Sequence, residues 1–165
     1  MLNRSVWLLI ALAGCSALGG CIRQAAPADG GAVADQVRKD AAGVVAAYNA
    51  KDAHRAAAYD APDYVGLYHG SANTIGPAAD EAAMKTQMAA AKVDWQLGPG
   101  KVTVSKGGDL GVFEAPYLFI IGTPQSGETR ESGTWIAIFK RQSDGSMKLW
   151  RSIASDGPPV RPQTP

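Results

Sequence analysis

Two histidines, His54 and His69, are the side chains of this chain best suited to acid–base chemistry or metal binding near neutral pH. Asp60 and Asp63 lie between them and could complete a set of metal ligands. The spacing matches neither a His-x-His nor a His-x-x-x-His site, and His54 falls on a short polar helix, so we predict no metal site. His69 follows Tyr68 at the end of a predicted strand and could act as an acid or base at a pocket mouth, but a solvated loop histidine is the favoured interpretation.

Glu114 lies inside an otherwise apolar stretch that runs from Val112 to Ile121. Such a carboxylate either faces water from an edge position, which we favour, or points into a cavity where burial raises its pKa. The sequence has no phosphate-binding loop and no nucleophile elbow, and we predict no cofactor. If the fold encloses a pocket, we expect its lining to come from Tyr48, Tyr59, Tyr68, His69, Glu114, Trp135 and Trp150. That set holds no Lys or Arg, so it favours a planar or hydrocarbon-rich ligand over a sugar phosphate.

The two cysteines of the chain, Cys15 and Cys21, both stand near the amino terminus. Arg4 precedes an apolar run at 6–13, which is shorter than the ~20 residues of a membrane-spanning helix but fits a secretory signal. The tetrapeptides that end at the cysteines, LAGC and LGGC, are similar to the bacterial lipobox, in which the cysteine is lipidated and becomes the first mature residue. These features predict an exported lipoprotein.

Cys15 is the preferred lipidation site, because its tetrapeptide fits the lipobox more closely and the apolar run ends just before it. Cleavage there leaves Cys21 as a single thiol in an oxidising compartment, which speaks for Cys21 as the alternative. The signal peptide is then 1–14, or 1–20 if Cys21 is lipidated. No Asp follows either cysteine, so we expect a periplasmic protein anchored at the outer membrane.

The rest of the chain, about 145 residues, suffices for one domain with a single core. Its Ala-, Gly- and Pro-rich beginning predicts a flexible tether at 15–34, followed by the domain at 35–157 and a Pro-rich tail at 158–165. The 16 Lys and Arg residues nearly balance the 15 Asp and Glu residues and form no basic run. Nucleic acid is therefore not an expected partner.

Apolar spacing and turn residues predict three helices followed mainly by strands. The helices are expected at 35–51, 52–59 and 77–92, with Asp35 and Asp52 as N-caps and Pro77 in the first turn of the third. A short strand is expected at 64–69, and longer strands at 93–105, 110–122, 133–141 and 147–155. This order predicts an α+β fold with helices on one face of a bent sheet.

Several short segments occur in the order found in a known superfamily. AYNAKD at 47–52, AAY at 57–59, GDL at 108–110, GTW at 133–135 and FKRQSDGS at 139–146 resemble the SnoaL-like and DUF4440 branch of the NTF2-like superfamily. The resemblance implies a cone, in which a strongly curved, mixed and mostly antiparallel sheet wraps three N-terminal helices and leaves a pocket at its open end. Some members are isomerases, dehydratases, cyclases or hydrolases, and many others only bind ligands or partner domains.

The catalytic groups of the ketosteroid isomerase branch are not carried over to this chain. Alignment places its oxyanion-hole tyrosine, its base and its protonated aspartate on Val44, Leu67 and Ala137, and hydrocarbon side chains neither shuttle protons nor donate hydrogen bonds. We therefore expect a non-catalytic lipoprotein whose cone binds a small apolar molecule or a partner protein. A cofactor-free SnoaL-like acid–base enzyme that uses Glu114, His69 or a pocket tyrosine is the alternative.

The last two strands carry two further expectations. The resemblance places Trp150, Ser152 and Ala154 on the concave side of the last strand, whereas simple alternation places Met147, Leu149 and Ile153 there, and the sequence leaves both registers open. In the strand at 133–141, alternation puts Ile136 and Ile138 on the face opposite Trp135, Ala137 and Phe139. Helices cover only one face of a sheet, so we predict a homodimer in which two sheets pair through the second apolar face.

Overall fold

The computed structural model describes residues 29–123 and 127–157, apart from the side chain of Thr123. The predicted signal peptide, both cysteines and the predicted tail at 158–165 lie outside the described residues. The three helices are α1 (Gly30–Asn49), α2 (Ala53–Ala57) and α3 (Pro77–Met88). The strands are β1 (Asp60–Tyr68), β2 (Thr74–Ile75), β3 (Lys92–Leu97), β4 (Lys101–Val104), β5 (Leu110–Thr123), β6 (Gly127–Arg141) and β7 (Met147–Asp156). None of the helices in these two ranges combines the length and the hydropathy that crossing a membrane requires.

Helix α1 begins at Gly30, five residues before the predicted start. The Asp29 side chain caps it by accepting a hydrogen bond of 2.9 Å from the Gly31 amide, whereas Asp35, the predicted cap, forms an ion pair with Arg38. The extra turn buries Val33 one turn before Val37, so the apolar stripe of the helix extends into the segment predicted as tether. Residues 30–34 therefore belong to the folded domain.

The two shorter helices begin where the sequence predicts. Asp52 caps α2 by accepting a 2.9 Å hydrogen bond from the Arg55 amide, and Pro77 opens α3. Helix α3 ends at Met88, four residues earlier than predicted, because Lys92 already begins strand β3.

The sheet has seven strands in the order β2-β1-β7-β6-β5-β3, and β4 also pairs with β5. Strand β1 runs parallel to β7 and every other pairing is antiparallel, which confirms a mixed, mostly antiparallel sheet and the α+β class. The predicted strand at 93–105 is divided into β3 and β4 by the turn at 98–100. Strand β1 begins at Asp60, four residues earlier than predicted, and its register with β7 shifts between Asp60 and Val65, which accommodates Pro62.

The concave face of the sheet forms the core against α1. Trp135, Ala137 and Phe139 are buried on this face, and Ile136 and Ile138 are half-buried on the other, which confirms the predicted alternation in β6. Along β5, Phe113, Ala115 and Tyr117 are buried on the same concave side.

A bulge decides the register of β7. The pairing with β6 shifts between Ile138, opposite Arg151, and Phe139, opposite Leu149, so Trp150 is left without a direct partner. Met147 and Leu149 are buried before the bulge, and Ser152 is buried and Ala154 packs on the core after it. Simple alternation therefore predicts the inward residues before the bulge, and the family resemblance predicts those after it. Trp150 lies on the outer side.

Candidate functional site

A cavity of about 430 Å³ lies between α1, α3 and the concave face of the sheet. Its wall is largely apolar and aromatic, with contributions from Val44, Tyr48, Met84, Trp95, Phe119, Trp135 and Leu149. Its other polar side chains are Asp60, Tyr64, Tyr68, His69, Ser71, Thr74, Asp80, Gln87, Tyr117, Glu131, Ser152 and Asp156. The cavity therefore combines an apolar body with a limited set of polar groups, as small-molecule sites do.

The aromatic part of the wall is held by edge-to-face contacts. The rings of Tyr48 and Trp95 have centroids 5.4 Å apart, those of Trp95 and Trp135 are 4.8 Å apart, and Phe119 lies 5.8 Å from Tyr48. These contacts join α1 to strands β3, β5 and β6, so each ring is fixed by its neighbours. The Tyr48 hydroxyl donates to Oε1 of Gln87 on α3, which ties the two helices together across the cavity.

Two aspartates lie next to each other in the wall. Asp60 begins β1 and Asp80 lies in the first turn of α3, and each residue is only 7% exposed. The two carboxyl groups are close enough for each to shift the pKa of the other. Two buried carboxyl groups this close do not both ionise at neutral pH, because like charges repel and burial disfavours charge, so the pair holds a proton.

The proton resides on Asp60. Burial raises the pKa of Asp60 to about 9, and the charge of Asp80 and a hydrogen bond to it act in the same direction. Burial also raises the pKa of Asp80, but only to about 6. The rise is smaller than for Asp60 because hydrogen bonds from the Tyr64 hydroxyl and the Asp60 carboxyl oppose the effect of burial. The first turn of α3 also favours a negative Asp80. At neutral pH the pair therefore consists of a carboxylic acid, Asp60, and a carboxylate, Asp80.

A chain of hydroxyl groups continues from the aspartate pair along the wall. The Tyr64 and Tyr68 hydroxyl oxygens are hydrogen-bonded at 2.9 Å, Tyr68 donates to Oγ of Ser152 at 3.0 Å, and Nε1 of Trp135 donates to the same oxygen at 2.9 Å. Burial raises the pKa of Tyr68 to about 12 and that of Tyr64 still further, so both remain neutral phenols. The network presents neutral donors and acceptors to the cavity.

Polar groups surround the cavity mouth. Nδ1 of the exposed His69 contacts the Asp156 carboxylate on β7, and the hydroxyl of the buried Tyr117 donates to Glu131 on β6. Burial and the Glu131 carboxylate raise the pKa of the Tyr117 hydroxyl, so this hydroxyl also stays protonated.

Four of the seven residues predicted to line a pocket lie in the cavity wall, namely Tyr48, Tyr68, His69 and Trp135. Tyr48 and Trp135 face inward because they continue the apolar stripes of α1 and β6. Tyr68 reaches Ser152 from the end of β1, and His69 lies at the mouth.

Tyr59, Glu114 and Trp150 lie elsewhere, which corrects the predicted lining. Tyr59 follows α2 and lines a separate surface groove beside Arg141. Glu114 is exposed and opposite Lys101 in the β4–β5 pairing, the water-facing alternative of the two considered. Trp150 is turned outward by the bulge, where Nε1 donates to Asp63 at 2.9 Å.

Local sequence patterns do not predict that Asp80 lies in a pocket, and they suggest a role for Asp60 only as a metal ligand. A signal for Asp80 exists, because it lies four residues before Met84 and eight before Met88, the other buried residues of α3. A carboxylate on the apolar stripe of a helix indicates a special environment. Residues 29–123 and 127–157 contain no group of three or more His, Cys, Asp or Glu side chains that could hold a metal ion.

The three positions aligned with the ketosteroid isomerase site lie in different surroundings in the structure and do not meet in one site. Val44 lies in the cavity wall, Ala137 is completely buried in the core, and Leu67 lines a shallow groove outside. The two buried acidic groups of this cavity, Asp60 and Asp80, stand at other positions of the chain.

No protein-family model and no curated protein matches this sequence. Solved structures do match. A candidate dehydratase of the NTF2-like family from Streptomyces avermitilis aligns with 80% of this chain and 99% of its own length, at 18% identity and a TM-score of 0.67. An NTF2-like superfamily protein from Salmonella enterica serovar Typhimurium aligns over 81% and 96%, at 13% identity and a TM-score of 0.68. A ketosteroid isomerase-like protein from Erwinia carotovora atroseptica aligns over 76% and 97%, at 14% identity and a TM-score of 0.64. The chain therefore has the NTF2-like fold.

Proposed function

We propose that this protein is a periplasmic, lipid-anchored binding protein of the SnoaL-like and DUF4440 branch, which holds a small and largely apolar molecule in its cone. The observation that carries the proposal is the open cavity of about 430 Å³. The core next to the cavity is close-packed, since Trp135 and Tyr64 are each only 1% exposed. The cavity is therefore a defined space and does not reflect poor packing of the whole core. A volume of this size suits a small organic molecule.

The polar groups of the wall support the same function. Asp60, Tyr64, Tyr68 and Ser152 can orient a hydroxyl or carbonyl group of a ligand, while the surrounding rings cover its apolar part. The described wall contains neither Lys nor Arg, so it offers no counter-charge to a phosphate or carboxylate.

The test uses the neutral, environment-sensitive fluorophore prodan with the purified protein. We expect prodan emission to rise and shift to the blue on binding. Ala154 lies in the cavity wall on β7, where it pairs with Trp135 on the neighbouring strand β6. Ala154→Trp should therefore fill the space and abolish the response. The next residue, Ser155, is exposed and outside the cavity wall, and Ser155→Trp is the matched control that should bind as the wild type does. Equal binding by the two variants would show that the cavity is not the site.

The anchoring part of the proposal rests on the sequence of residues 1–21, with Cys15 as the preferred lipidated residue and Cys21 as the alternative. A lipidated cysteine with two or three acyl chains holds a protein durably on a membrane, whereas one chain does not. The outer face of the sheet supports a homodimer as the quaternary state, because Ile136 and Ile138 lie half-buried there and none of the helices in the described residues packs over them.

Acid–base catalysis is a second candidate, and the Asp60–Asp80 pair favours it. A carboxylate with a pKa of about 6 beside a carboxylic acid with a pKa of about 9 is a base next to an acid. Asp80 could take a proton from a carbon next to a carbonyl group, while the electron pair moves onto the carbonyl oxygen. Asp80 is then neutral, so the Asp60 O–H is free to turn from Asp80 and donate a hydrogen bond to that oxygen. Return of the proton to another carbon would complete an isomerisation.

A general probe for such a base is 5-nitrobenzisoxazole, which opens to a coloured cyanophenolate when a base removes its ring proton. If Asp80 acts as a base, the wild type should open it at least ~100-fold faster than Asp80→Asn does. Equal rates would leave binding as the function.

A further inference from the structure

The cavity is acidic in composition. Four carboxyl groups, those of Asp60, Asp80, Glu131 and Asp156, belong to its described wall, and His69 is the only basic side chain there. His69 contacts the Asp156 carboxylate at the mouth, and Glu131 accepts a hydrogen bond from the neutral hydroxyl of Tyr117. No cationic side chain of the described wall therefore faces the interior.

The buried aspartate pair carries one negative charge inside this wall. Two buried carboxyl groups this close share one proton and keep one charge. Lys148 is the cation whose charge acts on Asp60, but its Nζ donates to the Ala58 carbonyl at 2.7 Å, and the residue lines the separate groove beside Arg141. The first turn of α3 offers Asp80 a partial positive charge of about half a unit. Buried charges in proteins are normally paired, and this one has no full counter-charge on the cavity side.

One oxygen of the pair also receives no hydrogen bond from an N–H or hydroxyl group of the described residues. This atom is Oδ2 of Asp60, and it is buried in a residue that is only 7% exposed. A buried polar atom of this kind costs stability unless something donates to it. A protonated amine carries several N–H donors and a positive charge, so it supplies what this atom and the Asp80 carboxylate lack.

The rest of the wall suits the body of such a ligand. Trp95, Trp135, Phe119 and Tyr48 form a connected set of aromatic rings in the same cavity. Aromatic rings attract cations through their π faces and bury hydrocarbon well.

We propose that the cavity binds an organic amine in its protonated form, with the ammonium group at the Asp60–Asp80 pair and the hydrocarbon part against the aromatic wall. This inference rests on the proposed binding function and specifies the class of ligand. An anion of the same shape is excluded by the carboxylates, and a neutral analogue gains only the apolar contacts.

The experiment compares three probes of nearly equal shape by isothermal titration calorimetry at neutral pH. They are the cation 2-phenylethylammonium, the neutral 2-phenylethanol and the anion phenylacetate. We expect the wild-type protein to bind the cation at least ~10-fold more tightly than the alcohol, and phenylacetate most weakly. Asp80→Asn removes the charge of the pair. In this variant the affinity for the cation should fall to the affinity for the alcohol, and the affinity for the alcohol should change little.

Two further variants distinguish the effect of the Asp80 charge in the cavity from a general attraction of cations by the acidic groups of the protein. Asp60→Asn keeps the Asp80 carboxylate but removes the acid beside it, and should weaken binding of the cation less than Asp80→Asn does. Glu114→Gln removes an exposed carboxylate outside the cavity wall and should retain the wild-type preference for the cation. If the alcohol or prodan binds in the wild type and the cation binds no more tightly, the inference is overturned and the proposed function stands. If neither prodan nor any of the three probes binds, both are wrong.

Discussion

The proton held by Asp60 makes the stability of the folded protein depend on pH in a particular direction. The pKa of Asp60 is about 9 in the folded protein and near its ordinary value of 3.8 in the unfolded chain, so between these values the folded state holds a proton that the unfolded chain has lost. The free energy of unfolding therefore decreases as the pH rises through this window. Most acidic side chains with a native partner behave in the opposite way.

The size of the effect follows from the number of protons. One retained proton changes the free energy of unfolding by ~1.4 kcal/mol per pH unit, so the wild type should lose about 3 kcal/mol between about pH 6 and about pH 8. Below about pH 6 Asp80 holds a second proton, and the dependence should become steeper. The carboxyl groups whose pKa is lowered by exposed partners, such as Asp63 beside Lys140, lose their contribution only at more acidic pH.

Urea unfolding followed by tryptophan fluorescence at several pH values measures this dependence. Asp60→Asn should abolish the slope between about pH 6 and about pH 8, because asparagine does not titrate. Asp63→Asn, an exposed carboxylate three residues along the same strand, should keep the wild-type slope. An unchanged slope in Asp60→Asn, or a flat wild-type profile, would refute the assignment of a buried proton to Asp60.

Three further predictions concern the core, the anchor and the outer face. Trp135→Ala should lower the free energy of unfolding by about 3 to 5 kcal/mol, since its ring is 1% exposed, whereas the outward Trp150→Ala should cost less than about 1 kcal/mol; denaturant titration distinguishes the two. Membrane fractionation should release or mislocalise the Cys15→Ser variant and leave Cys21→Ser anchored, and the reverse result would assign the lipid to Cys21. Sedimentation should find a dimer that Ile138→Asp dissociates, and a monomeric wild type would refute the sheet-to-sheet pairing.

Local patterns in the sequence sufficed for most of the scaffold. Asp52 and Pro77 define helix starts through side-chain and ring chemistry that acts within one turn. The alternation in β6 places Trp135 inward because a strand has a period of two. The α+β class follows from the order of such elements.

The features that local patterns missed depend on distant parts of the chain. Trp150 faces outward because a bulge in the pairing of β6 with β7 interrupts the alternation. Asp60 and Asp80 are 20 positions apart, and only the packing of α3 on the beginning of β1 brings them together. A candidate site made of such a pair has no continuous motif to find.

The central claim is that the cavity around the aspartate pair holds a small molecule. Native mass spectrometry of the protein purified from its source organism tests it most directly, with Ala154→Trp as the variant whose cavity is filled. We expect a discrete additional mass on the wild-type protein that is absent from Ala154→Trp and carries a basic nitrogen when released and fragmented. The same bare mass for both proteins, or an additional mass that Ala154→Trp retains, would contradict it.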